Sequence, residues 1–329
     1  MLRTRRLERA FAIGAAAVAI FGSIGNAAEV YPVRPITMVV PYAAAGLFDA
    51  LARVLAEAMR TGLSQSVVIE NIGGASGSIA AGRLARAAPD GYTIGIGSGD
   101  QFVVNAAIYS LQYDVVKDFE PVALLMNGPL LIVGKNALPN NLKELIPWLK
   151  ANRATVAFAH NGAGGALHLC GLALQRAAGA SWPFIPYRGA APALQDMIGG
   201  RVDLMCPSPA SSLAMARGGL LRAYAVTGST RLTSAPDIPT VDEAGLAELH
   251  ISVWGGVFAP KGTPQNVIAK LNAALVDALA DPAVQQKFVD LGQEIFPREQ
   301  QTPEALAALQ KAEIEKWWPI IKAANVKGE

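Results

Sequence analysis

The fold is decided by residues 36–96, which read ITMVVPYAAAGLFDALARVLAEAMRTGLSQSVVIENIGGASGSIAAGRLARAAPDGYTIGI. Three short strand-like runs, 36–40, 67–69 and 93–96, alternate with two amphipathic helical patterns, 49–59 and 78–87. We expect Asp49 to cap the first of these helices. Strands that alternate with helices at this spacing predict right-handed crossovers and a parallel sheet.

The same alternation of strand-like and helical segments repeats between residues 130 and 226. The C-terminal third then contains helices without additional strands for them to pack against. We predict that these helices pack back on the first sheet and that Trp317 and Trp318 lie in the core. The chain would then cross twice, giving domains of residues 29–126 plus 253–329 and of residues 127–252. The predicted class is α/β, with two domains and a ligand cleft between them.

Composition excludes several classes of protein. The chain has 329 residues, of which 52% are hydrophobic and 16% charged, so it is not a disordered chain. With 28 basic and 26 acidic residues it has no charge excess that would attract nucleic acid. Its two cysteines, Cys170 and Cys206, exclude a disulfide-framework scaffold and a four-cysteine zinc site. They could pair in an oxidising compartment, but we expect buried free thiols.

The N-terminus predicts export. Arg3, Arg5, Arg6 and Arg9 precede an uncharged, mostly apolar run, and small residues follow up to Ala28. This pattern is typical of a secretory signal peptide over residues 1–28. The apolar run is shorter than the roughly 20 residues of a spanning helix, and no cysteine follows it for a lipid anchor. We therefore expect a periplasmic protein without a direct membrane anchor.

Catalytic, cofactor and metal motifs are missing from the sequence. It contains no Gly-x-Ser-x-Gly elbow, no Walker A motif, no complete Gly-x-Gly-x-x-Gly and no His-Glu-x-x-His. His160, His168 and Cys170 fit no common metal-ligand spacing, and we expect His168 to bond locally in the first turn of a helix. We predict no enzyme activity, no cofactor and no metal.

Small-residue loops that open helices are the recurrent feature of the chain. They lie at residues 43–46, 73–77, 97–99 and 161–165. Each one could be no more than a tight connection. Together, on one face, they would leave backbone N–H groups bare at the positive ends of helices, which favours binding of an anion such as a small carboxylate.

Seven segments of the sequence carry a resemblance to a known family. They are Pro35 to Tyr42 with Gly46 and Asp49, Val68 to Asn71 with Gly74 and Gly77, Ala88 to Thr93, Tyr113-Asp114 with Lys117 to Phe119, Pro186 to Gly189 with Ala191 to Ala193, Gly199 to Met205, and Pro239 to Gly245. Over essentially the whole mature chain the sequence resembles the Bug (TctC-like) solute-binding proteins of tripartite tricarboxylate transporters. The resemblance implies a type II periplasmic-binding-protein fold that closes on a small carboxylate. It also implies the membrane subunits of such a transporter as partners.

The resemblance also implies a set of ligand-binding positions in both domains. They are Tyr42, Ala44, Ala45, Gly46, Asp49, Ser98, Gly99 and Gln101 in the first domain, and Asn161, Gly162, Gly164, Gly165, His168, Arg188, Gly189, Ala190 and Ser208 in the second. Arg188 is the side chain expected to pair with the charge of the ligand.

The chain departs from the family pattern in its first loop, where Ala45-Gly46 is followed by Leu47 and Phe48. These bulky residues suggest a ligand with an apolar body, such as an aromatic or longer-chain carboxylate. Two other functions stay open at this point: a sensory receptor whose closed form engages a sensor kinase, and an exported hydrolase or lyase on the same fold.

Overall fold

The computed structural model describes residues 31–327 except 43, 45, 161, 188 and 189, and for residue 248 the backbone only. The predicted signal peptide therefore lies outside the described residues. The described chain forms eleven strands and ten helices. In chain order these are β1 Ile36–Val40, α1 Leu47–Leu63, β2 Val67–Asn71, α2 Ser78–Ala85, β3 Thr93–Ser98, α3 Asn105–Ile108, β4 Phe119–Pro129, β5 Leu131–Gly134, α4 Leu142–Ala151, β6 Phe158–His160, α5 Ala166–Ala178, β7 Phe184–Pro186, α6 Ala190–Ile198, β8 Leu204–Met205, α7 Pro209–Arg217, β9 Arg222–Val226, β10 Ser252–Pro260, α8 Gln265–Ala280, α9 Pro282–Asp290, β11 Glu294–Ile295 and α10 Pro303–Ala323.

The strands form two mixed sheets, as expected for an α/β protein. The first sheet has the order β11-β4-β10-β3-β1-β2 and the second has the order β7-β6-β8-β5-β9. The strands β1, β2 and β3 are parallel, as are β6, β7 and β8. The parallel pairing predicted for the first three strands is therefore confirmed, but both sheets also contain antiparallel strands: β10 runs antiparallel to β3 and β4, and β5 runs antiparallel to β8 and β9. Strands that return from the other sheet enter in the opposite direction.

Helix α1 shows how the first sheet is covered. Leu51, Leu55 and Met59 recur every four residues and are all buried. This stripe packs the helix against β2 and α8. The prediction that Asp49 caps α1 was wrong, because the helix begins at Leu47 after Gly46, and Asp49 lies inside the first turn. There its carboxylate pairs with Arg53 at 3.0 Å and favours the positive end of the helix dipole.

The chain passes between the two sheets at two adjoining places. Strand β4 ends at Pro129 and β5 begins at Leu131, so one residue separates the sheets. Thr227 joins this crossing to the return crossing: its hydroxyl accepts from Leu130 N at 2.8 Å and donates to Ile251 O at 2.5 Å. The chain thus passes from one sheet to the other near residues 130 and 251, close to the predicted crossings. The domain bounds of 127 and 252 stay a prediction.

The C-terminal helices pack on the first sheet, as predicted. Asn272 of α8 donates to Val122 O at 2.8 Å, and Gln310 of α10 donates to Phe102 O at the same distance. The core position of Trp317 is confirmed, with 2% of its surface exposed, whereas Trp318 is only partly buried and donates to Val103 O. The C-terminal third was predicted to contain no further strands after β10, but it contributes the short strand β11, which pairs with β4.

Cys170 and Cys206 form a disulfide, so the expectation of free thiols was wrong. Their Cα atoms are 6.3 Å apart and both residues are fully buried. The bond ties helix α5 to the end of β8, which are separated by 36 residues of sequence. The sequence could not decide this, because pairing requires a short Cα separation that only the packing of α5 on the sheet creates.

No helix in the described part of the chain has both the length and the apolar character needed to cross a membrane.

Candidate functional site

A cavity of about 340 Å³ lies where the loops of the two sheets face each other. Tyr42, which follows β1, and Ser98, the last residue of β3, line it together with Gly165 and Ser208 on the side of the second sheet. Leu130 and Ile251 at the two crossings also line it, together with residues 252–254 at the start of β10 and with Glu313 and Trp317 of helix α10. A site built from both sheets and both crossings can change shape when the sheets move relative to each other.

Four of the described helices begin at the wall of this cavity. They are α1, which follows Gly46, α5, which follows Gly165, α6, which begins at Ala190, and α7, which follows Ser208. Among the residues that the structure describes, no side chain caps the first N–H groups of α1, α5 or α7. Bare N–H groups at the positive ends of several helices make this cavity suited to an anion.

On the first-sheet side, a hydrogen-bond network holds Tyr42. Its hydroxyl lies 3.2 Å from the Ser98 hydroxyl and accepts from Gln101 Nε2 at 3.0 Å. Gln101 Oε1 in turn accepts from Ser98 N at 3.0 Å. Burial raises the pKa of Tyr42 well above its usual value, so the phenol stays protonated and can donate to a ligand. The ring of Tyr42 stacks on Phe48 with 5.1 Å between centroids.

On the second-sheet side, two buried histidines hold the loop before α5. The rings of His160 and His168 stack at 4.7 Å. Gly162 N donates to His160 Nδ1 at 3.2 Å and Gly164 N donates to His168 Nδ1 at 2.9 Å. The local bond expected for His168 is therefore present. Burial, with a smaller contribution from His160, lowers the pKa of His168 to about 4, so the ring is neutral and accepts.

Gly164 must be a glycine at this point of the loop. Its φ of +76° disfavours residues with a Cβ, and a Cβ there would collide with Ile108 and Val104 across the cavity edge. The second-sheet loop therefore approaches the first sheet closely through backbone alone.

The predicted site residues fall into three groups. Those that line the cavity are Tyr42, Gly46, Ser98, Gly99, Gly165, Ala190 and Ser208. Those that lie beside it without lining it are Ala44, Asp49, Gln101, Gly162, Gly164 and His168, of which Gln101 and His168 position cavity loops. Those that lie outside the described residues are Ala45, Asn161, Arg188 and Gly189.

Sequence reasoning missed the acidic and aromatic part of the wall. Asp100, Glu313, Trp254 and Trp317 all line the cavity. Burial raises the pKa of Asp100 to about 6, although the Tyr42 hydroxyl opposes this shift. Only Asp100 carried a sequence signal, since it ends the predicted loop 97–100. Glu313 and Trp317 come from a helix more than 200 residues further on, which no local pattern connects to this loop.

The described residues contain no group of three or more His, Cys, Asp and Glu side chains placed to hold a metal ion. The cavity wall combines backbone donors, hydroxyls, aromatic rings and two carboxyls, groups that are able to bind a solute by hydrogen bonding and packing.

Comparison with known proteins identifies a family and several relatives that are similar to this chain. Residues 51–326 match the family described as the tripartite tricarboxylate transporter family receptor. A relative from Agrobacterium vitis, described as a UPF0065 protein in the TAR-I ttuE-ttuC' intergenic region, is 39% identical over 309 residues, which cover 92% of this chain and 88% of that protein.

Two solved structures share both sequence and fold with the chain. The periplasmic binding protein BugD is 41% identical with a TM-score of 0.75, covering 91% of this chain and 100% of that one. MatC from Rhodopseudomonas palustris, solved with bound malate, is 37% identical with a TM-score of 0.75, covering 88% and 100%. The chain therefore belongs to the tripartite tricarboxylate transporter receptor family, the TctC or Bug group of periplasmic solute-binding proteins.

Proposed function

We propose that the protein captures a small carboxylate in this cavity and delivers it to the membrane subunits of a tripartite tricarboxylate-type transporter. A signal peptide over residues 1–28 would export it, and closure of the two domains on the ligand would present a new surface to the transporter. The observation that carries the proposal is the start of four helices at one cavity wall, three of them without a side-chain cap. The malate in MatC supports the same ligand class.

The energetics are consistent with capture and release. A buried carboxylate exchanges its hydration for several charge-assisted hydrogen bonds, each contributing about 1.5–3 kcal/mol. Association and domain closure oppose binding by several kcal/mol. We therefore expect a dissociation constant in the micromolar range, which corresponds to a binding free energy of about −8 kcal/mol.

The first loop supports an apolar body in the ligand. Leu47 and Phe48 both line the cavity, and Phe48 continues the aromatic surface of Tyr42. An aromatic or longer-chain carboxylate would bury apolar surface against these rings.

The two alternative functions have less support. Among the described residues, the cavity hydroxyls bond to groups other than histidine: Ser208 Oγ lies 3.1 Å from Ser211 Oγ, and Ser98 bonds to Tyr42 and Gln101. A hydrolase would require a base next to such a nucleophile. No feature of the described surface favours a sensor kinase over a transporter.

The proposal is tested by removing one backbone donor from the cavity. Ala166 is the first residue of α5, and its N–H makes no backbone hydrogen bond. Proline is tolerated at this helix position and lacks the N–H, and the extended backbone of Gly165 is compatible with a following proline. We expect Ala166→Pro to weaken binding of the preferred carboxylate by about tenfold to a hundredfold in calorimetric titration.

Gln265→Pro is the matched control. It places proline at the first residue of α8, which follows Pro264 and lies away from the cavity. We expect it to leave the affinity unchanged. Wild-type protein that binds no mono-, di- or tricarboxylate in titration or thermal-shift measurements would refute the proposed function.

A further inference from the structure

A carboxyl group stands in the first-sheet wall of the cavity. Asp100 comes two residues after the end of β3 and lines the cavity together with Tyr42 and Ser98. Among the described lining residues there is no lysine or arginine that would neutralise its charge. A ligand whose own carboxylate binds at the helix starts therefore shares a cavity of about 340 Å³ with an acidic side chain.

Asp100 keeps acceptor capacity that the described residues do not use. Its carboxyl accepts from one of them, the Tyr42 hydroxyl, which lies 3.5 Å from Oδ2. The single proton of that hydroxyl is also within reach of Ser98 Oγ, at the shorter distance of 3.2 Å. An ionised carboxyl has two oxygens with about four lone-pair sites, so Oδ1 remains open to a donor that enters the cavity.

The Asp100 carboxyl is ionised at neutral pH. Burial raises its pKa to about 6, and the Tyr42 hydroxyl opposes this shift. With this pKa, about three-quarters of the molecules carry a protonated Asp100 at pH 5.5, and about one in a hundred does so at pH 8. The charge of this wall therefore changes within a pH range in which the protein can be studied.

Other ionisable groups lie on the elements around the cavity. On the first-sheet side they are Tyr42, which stays protonated, and Asp49, which is paired with Arg53 on α1. Helix α10 brings Glu313 and Lys316, and the second-sheet side brings His160 and His168. Of these, Tyr42 is the group whose contact alters the pKa of Asp100. Replacing Asp100 separates its titration from that of all the others.

A ligand that fills the cavity takes water away from Asp100. If the ligand brings no donor, an ionised carboxylate is left without hydration, which costs free energy unless the carboxyl first takes up a proton from solvent. A ligand hydroxyl supplies the missing donor. An ammonium group is a poorer match, because it brings three donors to one open acceptor and loses a much larger hydration free energy than a hydroxyl does.

From this geometry we infer that Asp100 selects the ligand: the protein takes a carboxylate that carries a hydroxyl group, which donates to Asp100, in preference to the same acid without the hydroxyl, and protonation of Asp100 removes this preference. The inference rests on the proposed function, in which the ligand carboxylate binds at the helix starts. Asp100 determines what the rest of the ligand carries.

The test compares acids that differ only by a hydroxyl. The sets are benzoate with its monohydroxy isomers, hexanoate with 6-hydroxyhexanoate, and succinate with malate. Affinities of the full mature chain are measured by calorimetric titration at pH 8 and pH 5.5. In at least one set we expect the hydroxy acid to bind at least about tenfold more tightly at pH 8. At pH 5.5 we expect the preference to fall to within about threefold, because the parent acid then meets a protonated Asp100.

Asp100→Asn removes the charge and keeps an acceptor oxygen for the ligand hydroxyl. We expect it to strengthen binding of the parent acid at pH 8 by at least about fivefold and to change binding of the hydroxy acid by less than about threefold. Asp277→Asn is the matched control, because Asp277 is exposed on α8, does not line the cavity and pairs only loosely with Arg298 at 3.6 Å. Thermal melting of both variants checks that the fold is retained.

The outcomes separate the inference from the proposed function. Parent acids that bind as tightly as their hydroxy acids at pH 8 in every set would overturn the inference and leave the proposed function standing, as would binding of other carboxylates but of no member of these sets. A preference that is equal at both pH values, or unchanged in Asp100→Asn, would overturn the role of Asp100.

Two further results bear on the ligand itself. Tighter binding of 6-aminohexanoate than of 6-hydroxyhexanoate at pH 8 would overturn the assignment of a hydroxyl group. If no carboxylate of any kind binds, the proposed function fails, and the inference fails with it.

Discussion

The two walls of the cavity are held by different chemistry. The first-sheet wall, Tyr42 with Ser98 and Gln101, is a network of hydroxyl and amide side chains. The second-sheet wall, residues 162–165 with His160 and His168, is a loop whose backbone N–H groups donate to two imidazole rings. A disulfide one turn into α5 fixes the helix that this loop opens. The difference means that redox conditions should act on the second-sheet wall and spare the first, whereas acid should act on the two walls through different groups: His168 in the second, and Asp100, whose pKa is about 6, beside Tyr42 in the first.

The largest effect is expected from the disulfide. Replacing both Cys170 and Cys206 with Ala frees a loop of 36 residues in the unfolded chain, which should lower the free energy of unfolding by roughly 4 kcal/mol. Urea denaturation of the double variant and of wild-type protein, with and without reductant, measures this. Wild-type protein whose stability in urea does not change on full reduction would show that the second-sheet wall does not depend on the bond.

Acid should weaken the second-sheet wall next. The pKa of His168 falls from 6.5 to about 4 in the folded protein, so the unfolded chain takes up a proton at a higher pH than the folded chain does. The associated stability is fully present above about pH 6.5 and is lost as the pH falls to about 4, amounting to roughly 3 kcal/mol.

His168→Asn keeps an acceptor for Gly164 N but cannot titrate, so its unfolding free energy should depend less on pH over this window. Denaturation curves at a series of pH values compare it with wild type, and the exposed His250→Gln is the control for replacing a histidine. If the free energy of unfolding of His168→Asn depended on pH in the same way as that of wild type, His168 would not be the source of the pH response of the second-sheet wall.

The smallest effect is expected from the first-sheet wall. Tyr42→Phe removes a buried hydroxyl but leaves Gln101 Nε2 bonded to Ser76 O at 2.9 Å, so the network is only partly lost. We expect stability to fall by about 1 kcal/mol, with a larger loss at pH 7 than at pH 4, because the hydroxyl also bonds to Asp100, whose pKa of about 6 leaves it ionised only at the upper end of this range. Chemical denaturation at both ends of that range tests this. A loss that is larger at pH 4 than at pH 7 would contradict the role of the Tyr42–Asp100 hydrogen bond.

Local patterns predicted most of the elements because each depends on neighbouring residues. The run Ile36 to Val40 and the four-residue spacing of Leu51, Leu55 and Met59 are buried as their periodicity indicates. Boundaries that depend on tertiary pairing were less predictable. Strand β3 continues to Ser98 because β10 pairs with it as far as Gly255, and no residue between 93 and 98 reports that partner.

The sequence by itself determined the α/β class, the family, the small-residue loops and the membership of Tyr42, Ser98, Gly165 and Ser208 in one set of positions. The class and the loops follow from composition, periodicity and motifs, which are local properties of the chain, and the set of positions follows from the resemblance of the sequence to the family. Only the tertiary structure decided that Cys170 meets Cys206, that the two histidines stack, and that Glu313 and Trp254 face the same cavity. Such contacts join residues far apart in sequence, and their distances are set by how sheets and helices pack together, which no local pattern records.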